Sequence, residues 1–172
     1  MKMDKVANSQ NDEFYTPSYA IYPILKYVKK QSIVWCPFDT ENSWFVKLLT
    51  EHGCKVIFSH LSKGEDFFNT EKQCDYIISN PPYSLKAEVF DRLFSLGIPF
   101  AMLVGVVGIF ESQKRFNMFK ENDFEIMYFN KRIAYFKSYD DQKPSLNPPF
   151  SSVYITSKIL PKQIVFETIE KK

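Results

Sequence analysis

Glycine is scarce in this chain, with five in 172 residues. None falls in Cys36-Pro37-Phe38-Asp39-Thr40-Glu41-Asn42-Ser43, the turn that follows the first apolar run. Glycines in such a turn let backbone amides approach a ligand closely; without them, Asp39, Thr40 and Asn42 are the side chains available as polar partners. Cysteine and histidine are sparse too. Cys36, Cys54 and Cys74 are odd in number and form no Cys-x-x-Cys pair, while His52 and His60 are the two imidazoles. That set argues against a zinc site or a disulfide framework, so no metal and a reducing, cytoplasmic setting are expected. No apolar stretch approaches the length of a membrane span. Met1-Lys2-Met3-Asp4-Lys5 leads into polar residues rather than a signal peptide, and a soluble chain is expected. A dominant charge is also missing. The 22 basic and 20 acidic residues leave +2, which neither establishes nucleic-acid binding nor excludes it.

Aromatics are plentiful, with 17 Phe and 10 Tyr. Most belong in a core, and a surplus also suits a site that stacks bases. The length suits one domain with one substantial core, expected over 13–160 between a polar tail at 1–12 and a tail at 161–172. Thr16-Pro17 reads as a helix start with Pro at the first helical position, and Pro23 should kink or delay that helix. Ser32-Ile33-Val34-Trp35-Cys36 reads as the first strand. Trp44, Phe45, Leu48 and Leu49 share one face of a helix over 41–52, closed by Gly53. Lys55-Val56-Ile57-Phe58-Ser59 and Asp75-Tyr76-Ile77-Ile78-Ser79 read as strands, with a polar loop at 60–73 between them. A helix over 85–96, a buried strand over 100–107 and a helix near 112–120 follow. Three strand-like runs, 124–130, 131–136 and 152–157, then lack any helix between them. Alternating strands and helices imply parallel crossovers, and helix-free terminal strands imply an antiparallel edge. The expected fold is therefore α/β, a doubly wound, mostly parallel sheet with an antiparallel C-terminal hairpin.

Asn80-Pro81-Pro82-Tyr83 directly follows one of these strands. Two prolines fix φ and remove two donors, which makes a rigid turn at the carboxyl end of the strand, where open α/β sheets bind ligands. Asn80 offers a carbonyl to an amino group, and Tyr83 a flat face for a base. An ordinary strand-to-helix turn is the alternative. Asn147-Pro148-Pro149-Phe150 repeats the pattern with no apolar strand before it, and reads as a loop leading into the last strand. Lys131, Arg132, Lys137 and Lys143 are either phosphate contacts or a solvated edge, with Asp140 and Asp141 nearby.

At Asn80-Pro81-Pro82-Tyr83 the chain resembles the S-adenosylmethionine-dependent, adenine-specific DNA methyltransferases and their small phage-borne relatives. Phe14-Tyr15-Thr16-Pro17 looks like the aromatic-Thr-Pro segment that precedes the first strand in that family. Cys36-Pro37-Phe38-Asp39-Thr40 occupies the place of the family's Asp-Pro-Phe-x-Gly-x-Gly loop, with Cys36 where the acid usually stands. Asp66-Phe67 resembles the acidic-apolar pair beside the cofactor's adenine, and His60 stands where an acid often meets the ribose. The likeness runs from about 12 to 157. It implies a Rossmann-like methyltransferase sheet and catalysis by Asn80, Pro81, Pro82 and Tyr83. It further implies that S-adenosylmethionine lies near Tyr15, Thr16, Pro17, Cys36, Pro37, Phe38, Asp39, Thr40, His60, Asp66 and Phe67. Asp39 or Thr40 can equally cap the helix at Glu41, and Asp66 a turn at Phe67. The implied partner is nucleic acid, DNA first, with an accessory protein available to supply specificity. Adenine in RNA, a glutamine amide in a protein, and a non-catalytic nucleic-acid-binding module on the same fold remain alternatives.

Overall fold

The computed structural model describes residues 15–136 and 150–171. The tail at 1–12, Phe14, Lys137, Asp140, Asp141, Lys143 and Asn147-Pro148-Pro149 lie outside the described residues.

A 3-10 turn, Ser18–Ala20, and a short helix α1, Tyr22–Leu25, open the described chain. Pro17 caps the turn instead of occupying its first position, and Pro23 sits in the first turn of α1, where a missing amide hydrogen costs nothing. The runs rich in β-branched and aromatic residues form β1 (Ile33–Cys36), β2 (Lys55–Phe58), β3 (Tyr76–Ser79) and β4 (Phe100–Gly105). All four are parallel, β2 with β1, β1 with β3, and β3 with β4. Helix α2 (Trp44–Glu51) crosses from β1 to β2, and α3 (Lys86–Leu96) from β3 to β4. Gly97, left-handed at φ 69°, closes α3. Helix α4 (Gln113–Glu121) follows β4, capped by Ser112 Oγ, which accepts from the Arg115 amide.

The remaining strands are β5 (Glu125–Phe129), β6 (Ser152–Ser157) and β7 (Ile164–Glu167). Together they make one seven-stranded sheet in the order β2-β1-β3-β4-β6-β5-β7. Strand β6 is antiparallel to both β4 and β5, so a mostly parallel sheet carries antiparallel pairing among its C-terminal strands, as expected from the sequence.

Both faces of the sheet are covered, which is why its strands read as continuous apolar runs. Val34, Cys36, Ile78, Ala101, Leu103 and Tyr154 point to one side, against α1 and Phe45, Leu48 and Leu49 of α2. Trp35, Ile77, Met102, Val104, Val153 and Ile155 point to the other, against Val89, Phe90 and Leu93 of α3 and Phe119 of α4. Each large side chain so buried contributes roughly 1.5–3 kcal/mol before entropy is subtracted.

Two expectations are corrected here. Residues 131–136 form no strand; Ile133, Ala134, Tyr135 and Phe136 are all buried instead of alternating. They pack under the N-terminal segment, where Tyr15 and Phe136 exchange two backbone hydrogen bonds of 2.9 and 2.8 Å. Residues 161–172 are not a plain tail, because β7 takes the edge of β5 that the 131–136 run leaves open. Glu167 anchors β7, accepting from Lys26 Nζ and Tyr27 Oη, both at 2.6 Å. Ile169 beyond it is buried, and its amide donates to Asn130 Oδ1 at 2.9 Å. The domain thus extends past residue 160.

Candidate active site

Because β1, β3 and β4 are parallel, the loops after them meet along one edge of the sheet. Strand β3 stops at Ser79 since Pro81 and Pro82 have no amide hydrogen to continue the ladder. Both prolines are buried, and the chain turns through the 3-10 segment Tyr83–Leu85 into α3. Asn80 stands at the start of that turn, half-buried. Its amide nitrogen donates to Thr16 Oγ1 at 3.2 Å, which turns its side-chain carbonyl away from Thr16. Thr16 is itself buried and held by the Tyr15–Phe136 bridge. Tyr15, Thr16 and Pro17 are therefore brought to the Asn80 turn.

Asp39 joins that turn to the loop after β1. Its carboxylate is buried, accepting from Ser43 Oγ at 2.6 Å and from Ser79 Oγ at 2.5 Å, while its amide donates to Ser59 O at 3.0 Å. A buried carboxylate requires such donors. The helix cap expected at Asp39 or Thr40 lies instead at Ser43, whose Oγ accepts from the Phe45 amide, so α2 starts at Trp44 and not at Glu41. Asp39 braces that cap from behind. Thr40 is half-buried and Pro37 buried.

Tyr83 turns its phenol inward. The hydroxyl is buried and engages Tyr135 and Asn80, and burial, with Tyr135 adding to it, pushes its pKa well above the usual phenol value. Tyr135 is pushed up to about 12, chiefly by burial, so both phenols stay neutral at ordinary pH. Tyr135 and Phe150 meet the Tyr83 ring edge-on at 6.3 and 5.6 Å between centroids. Lys86 Nζ lies 5.6 Å from the ring centroid and donates to Gly105 O at 3.4 Å. Gly105 lets Phe150 in; a Cβ there would stand 2.9 Å from the Phe150 ring.

The other expected residues separate into near and remote. The Cys36 thiol is part of the core facing α2, and burial, with Asp39 adding to it, raises its pKa well above the usual value. Its side chain therefore does not line the loop, as strand alternation sends it inward. Asp66 caps the 3-10 turn Phe67–Asn69, accepting from the Phe68 amide at 3.0 Å. Phe67 is buried against Trp35 and Phe38, at 5.5 and 5.1 Å, and Phe38 keeps part of its ring exposed. His60 caps the turn Leu61–Lys63, its Nδ1 accepting from the Ser62 amide at 3.0 Å.

Several contributors escaped the sequence reading. Ser79 and Ser43 donate to the Asp39 carboxylate, and a serine just before an apolar helical face is the signal that could have found Ser43. Lys86, Tyr135 and Arg92 left no local signal. Arg92 fastens the Asp66–Phe67 loop by donating to Phe67 O at 2.8 Å and Thr70 O at 2.9 Å.

No family model matches the chain. The type II methyltransferase M.EcoRI of Escherichia coli is 29% identical over 92 residues, covering 48% of this chain and 28% of that protein. Among solved structures, a modification subunit assigned to a type I restriction enzyme from Vibrio vulnificus YJ016 superposes with a TM-score of 0.58 at 11% identity, over 99% of this chain and 50% of that one. The methyltransferase subunit of a type I restriction-modification system from Streptococcus thermophilus gives 0.54 at 12% identity, over 96% and 49%. The chain thus spans about half the length of the structural neighbours and less of the M.EcoRI enzyme. The fold is that of these methyltransferase subunits.

Proposed function

We propose that the chain transfers a methyl group from S-adenosylmethionine to the exocyclic amine of adenine in DNA. The observation that carries this reading is Asn80 at the end of β3, beside the buried Pro81 and Pro82, its amide nitrogen held by Thr16 Oγ1 so that its side-chain carbonyl faces away from that contact. An exocyclic amine is a poor nucleophile because its lone pair is drawn into the ring. The Asn80 Oδ1 and the Pro81 carbonyl accept its two hydrogens, which favours a tetrahedral nitrogen with an available lone pair. Tyr83 backs Asn80 and lends its ring to the turned-out base. When bound, S-adenosylmethionine would supply an electrophilic methyl group, its sulfonium leaving as the neutral thioether while the methylated amine gives up one proton to water. No covalent link to the protein is needed, so acceleration rests on positioning and on preorganised dipoles.

The residues present fit that donor in part. Asp66 and His60 stand on the loop after β2, Phe38 leaves ring surface beside Phe67, Thr40 follows the Asp39 that holds Ser79, and the Tyr15-Thr16-Pro17 segment borders the Asn80 turn. Asp39 is not counted among the ligands, because its carboxylate is already committed to Ser43 and Ser79. That commitment, together with the glycine-free loop, favours one second reading, a nucleic-acid-binding module on the same fold that transfers nothing.

Calorimetric titration with S-adenosylmethionine separates the two. The enzyme reading expects saturable heat with a Kd in the micromolar range or weaker, about −8 kcal/mol at best, and further weakening in Asp66→Ala. No heat and no thermal shift up to millimolar cofactor removes the enzyme reading.

A further inference from the structure

The carboxyl end of β4 carries a surface that the proposed chemistry has not used. Val107, Phe110 and Phe116 are 63%, 40% and 52% exposed, large apolar side chains within ten positions of one another. Scattered exposed hydrophobics need no explanation, but a cluster beside a site does. Cations are interleaved with them. Lys114 is exposed, Arg115 half-buried, and Lys86 Nζ reaches within 3.5 Å of Val107 O. Between 106 and 116, Glu111 is the single acid. Among the described residues none of these three cations forms an ion pair. Burial and the nearby Arg115 charge both lower the Lys86 pKa, which places the two cations in one electrostatic neighbourhood. Lys86 also lies over the Tyr83 ring, so the patch is continuous with the Asn80 turn.

We infer that the segment 106–116, with Lys86, grips the nucleic-acid strand flanking the acceptor base. This rests on the proposed nucleic-acid substrate and says where it is held. Lys86, Lys114 and Arg115 meet phosphates, and Val107 and Phe116 press against the bases or sugars beside the site. Exposed apolar side chains interleaved with cations are the composition of surfaces that hold unstacked strands. Three cations that form no ion pair among the described residues, beside a single acid, fit a polyanion better than a protein face. A turned-out base requires a hold on its neighbours, and this patch is adjacent to Tyr83.

The test is fluorescence anisotropy with labelled duplex and single-stranded DNA over a range of salt, using the full chain. The pair Lys114→Glu with Arg115→Glu should weaken binding at least tenfold and reduce the slope of log K against log salt by about 2. Phe116→Ala should weaken single-stranded binding roughly tenfold with the salt slope unchanged. Lys29→Glu with Lys30→Glu, on the loop before β1 at the opposite edge of the sheet, should change neither. Thermal melts confirm that each variant is folded. Native DNA affinity in the Lys114/Arg115 variant overturns the inference and leaves the proposed reaction standing. Equal weakening by the Lys29/Lys30 pair also overturns it, because attraction would then be diffuse. A native chain that binds no DNA overturns both.

Discussion

Ser79 donates its hydroxyl to Asp39 at 2.5 Å, across forty positions of sequence, and so ties the residue before Asn80 to the loop after β1. The same carboxylate holds Ser43, the cap of α2. One buried acid therefore sets the relative position of the two loops that border the proposed reaction. Ser79→Ala leaves that acid one donor short and should cost about 1–3 kcal/mol of stability, measured by urea denaturation. Asp39→Asn should cost a similar amount and lower the rate of methyl transfer, although Asp39 touches no substrate. A rate unchanged in a folded Asp39→Asn protein contradicts the bracing role.

Asn80→Ala should lower the rate of transfer by on the order of 3 kcal/mol while DNA affinity changes little, as for other preorganised polar contacts. Thr16→Val, which removes only the group that orients Asn80, should give a smaller loss of about 1 kcal/mol. Steady-state rates at saturating DNA separate the two. A larger effect from Thr16 than from Asn80 reverses the assignment.

Tyr83 has a ring and a hydroxyl in different roles. Tyr83→Phe removes the phenol that engages Asn80 and Tyr135 and should cost about 1 kcal/mol in rate. Tyr83→Ala also removes the ring and should lose a further 1–3 kcal/mol in substrate binding. Equal damage from both substitutions, with the fold intact, argues against a base resting on the ring.

The anchor of β7 makes stability depend on pH at both extremes. Burial pushes the Glu167 carboxyl up, but hydrogen bonds from Lys26 and Tyr27 prevail and hold it below its usual value. Its folded pKa is depressed, so its contribution is present above the ordinary carboxylate range and fades as pH falls through the folded value. Tyr27 is pushed up to about 12, first by its hydrogen bond to Glu167. Its contribution is present below pH 10 and fades as pH rises toward 12. Glu167→Gln should flatten both limbs of a plot of Tm against pH. A plot identical to that of the native chain contradicts the anchor.

The central sheet was legible because its strands are buried on both faces and alternate with helices of clear period, such as the Trp44–Leu49 face of α2. The Asn80 turn was legible because prolines punctuate a strand locally. Residues 131–136 misled because an apolar run without alternation carries no statement about pairing, and this one buries itself beneath Tyr15. Strand β7 was missed because Ile164-Val165-Phe166 is short, and its fixing contacts, Lys26 and Tyr27, lie some 140 positions away. From sequence alone Asp39 reads as a ligand or a cap for the same reason. Its partner Ser79 is distant in sequence, and only the parallel pairing of β1 with β3 brings them together.

The most direct measurement is the product itself. The chain is incubated with S-adenosylmethionine carrying a labelled methyl group and with unmethylated duplex DNA, in parallel with RNA and protein acceptors, and the DNA is hydrolysed to nucleosides for mass spectrometry. Labelled N6-methyladenine is expected from DNA with the native chain, lowered roughly a hundredfold by Asn80→Ala. DNA left unlabelled by the folded native chain, or label that persists unchanged in Asn80→Ala, would contradict the proposed reaction.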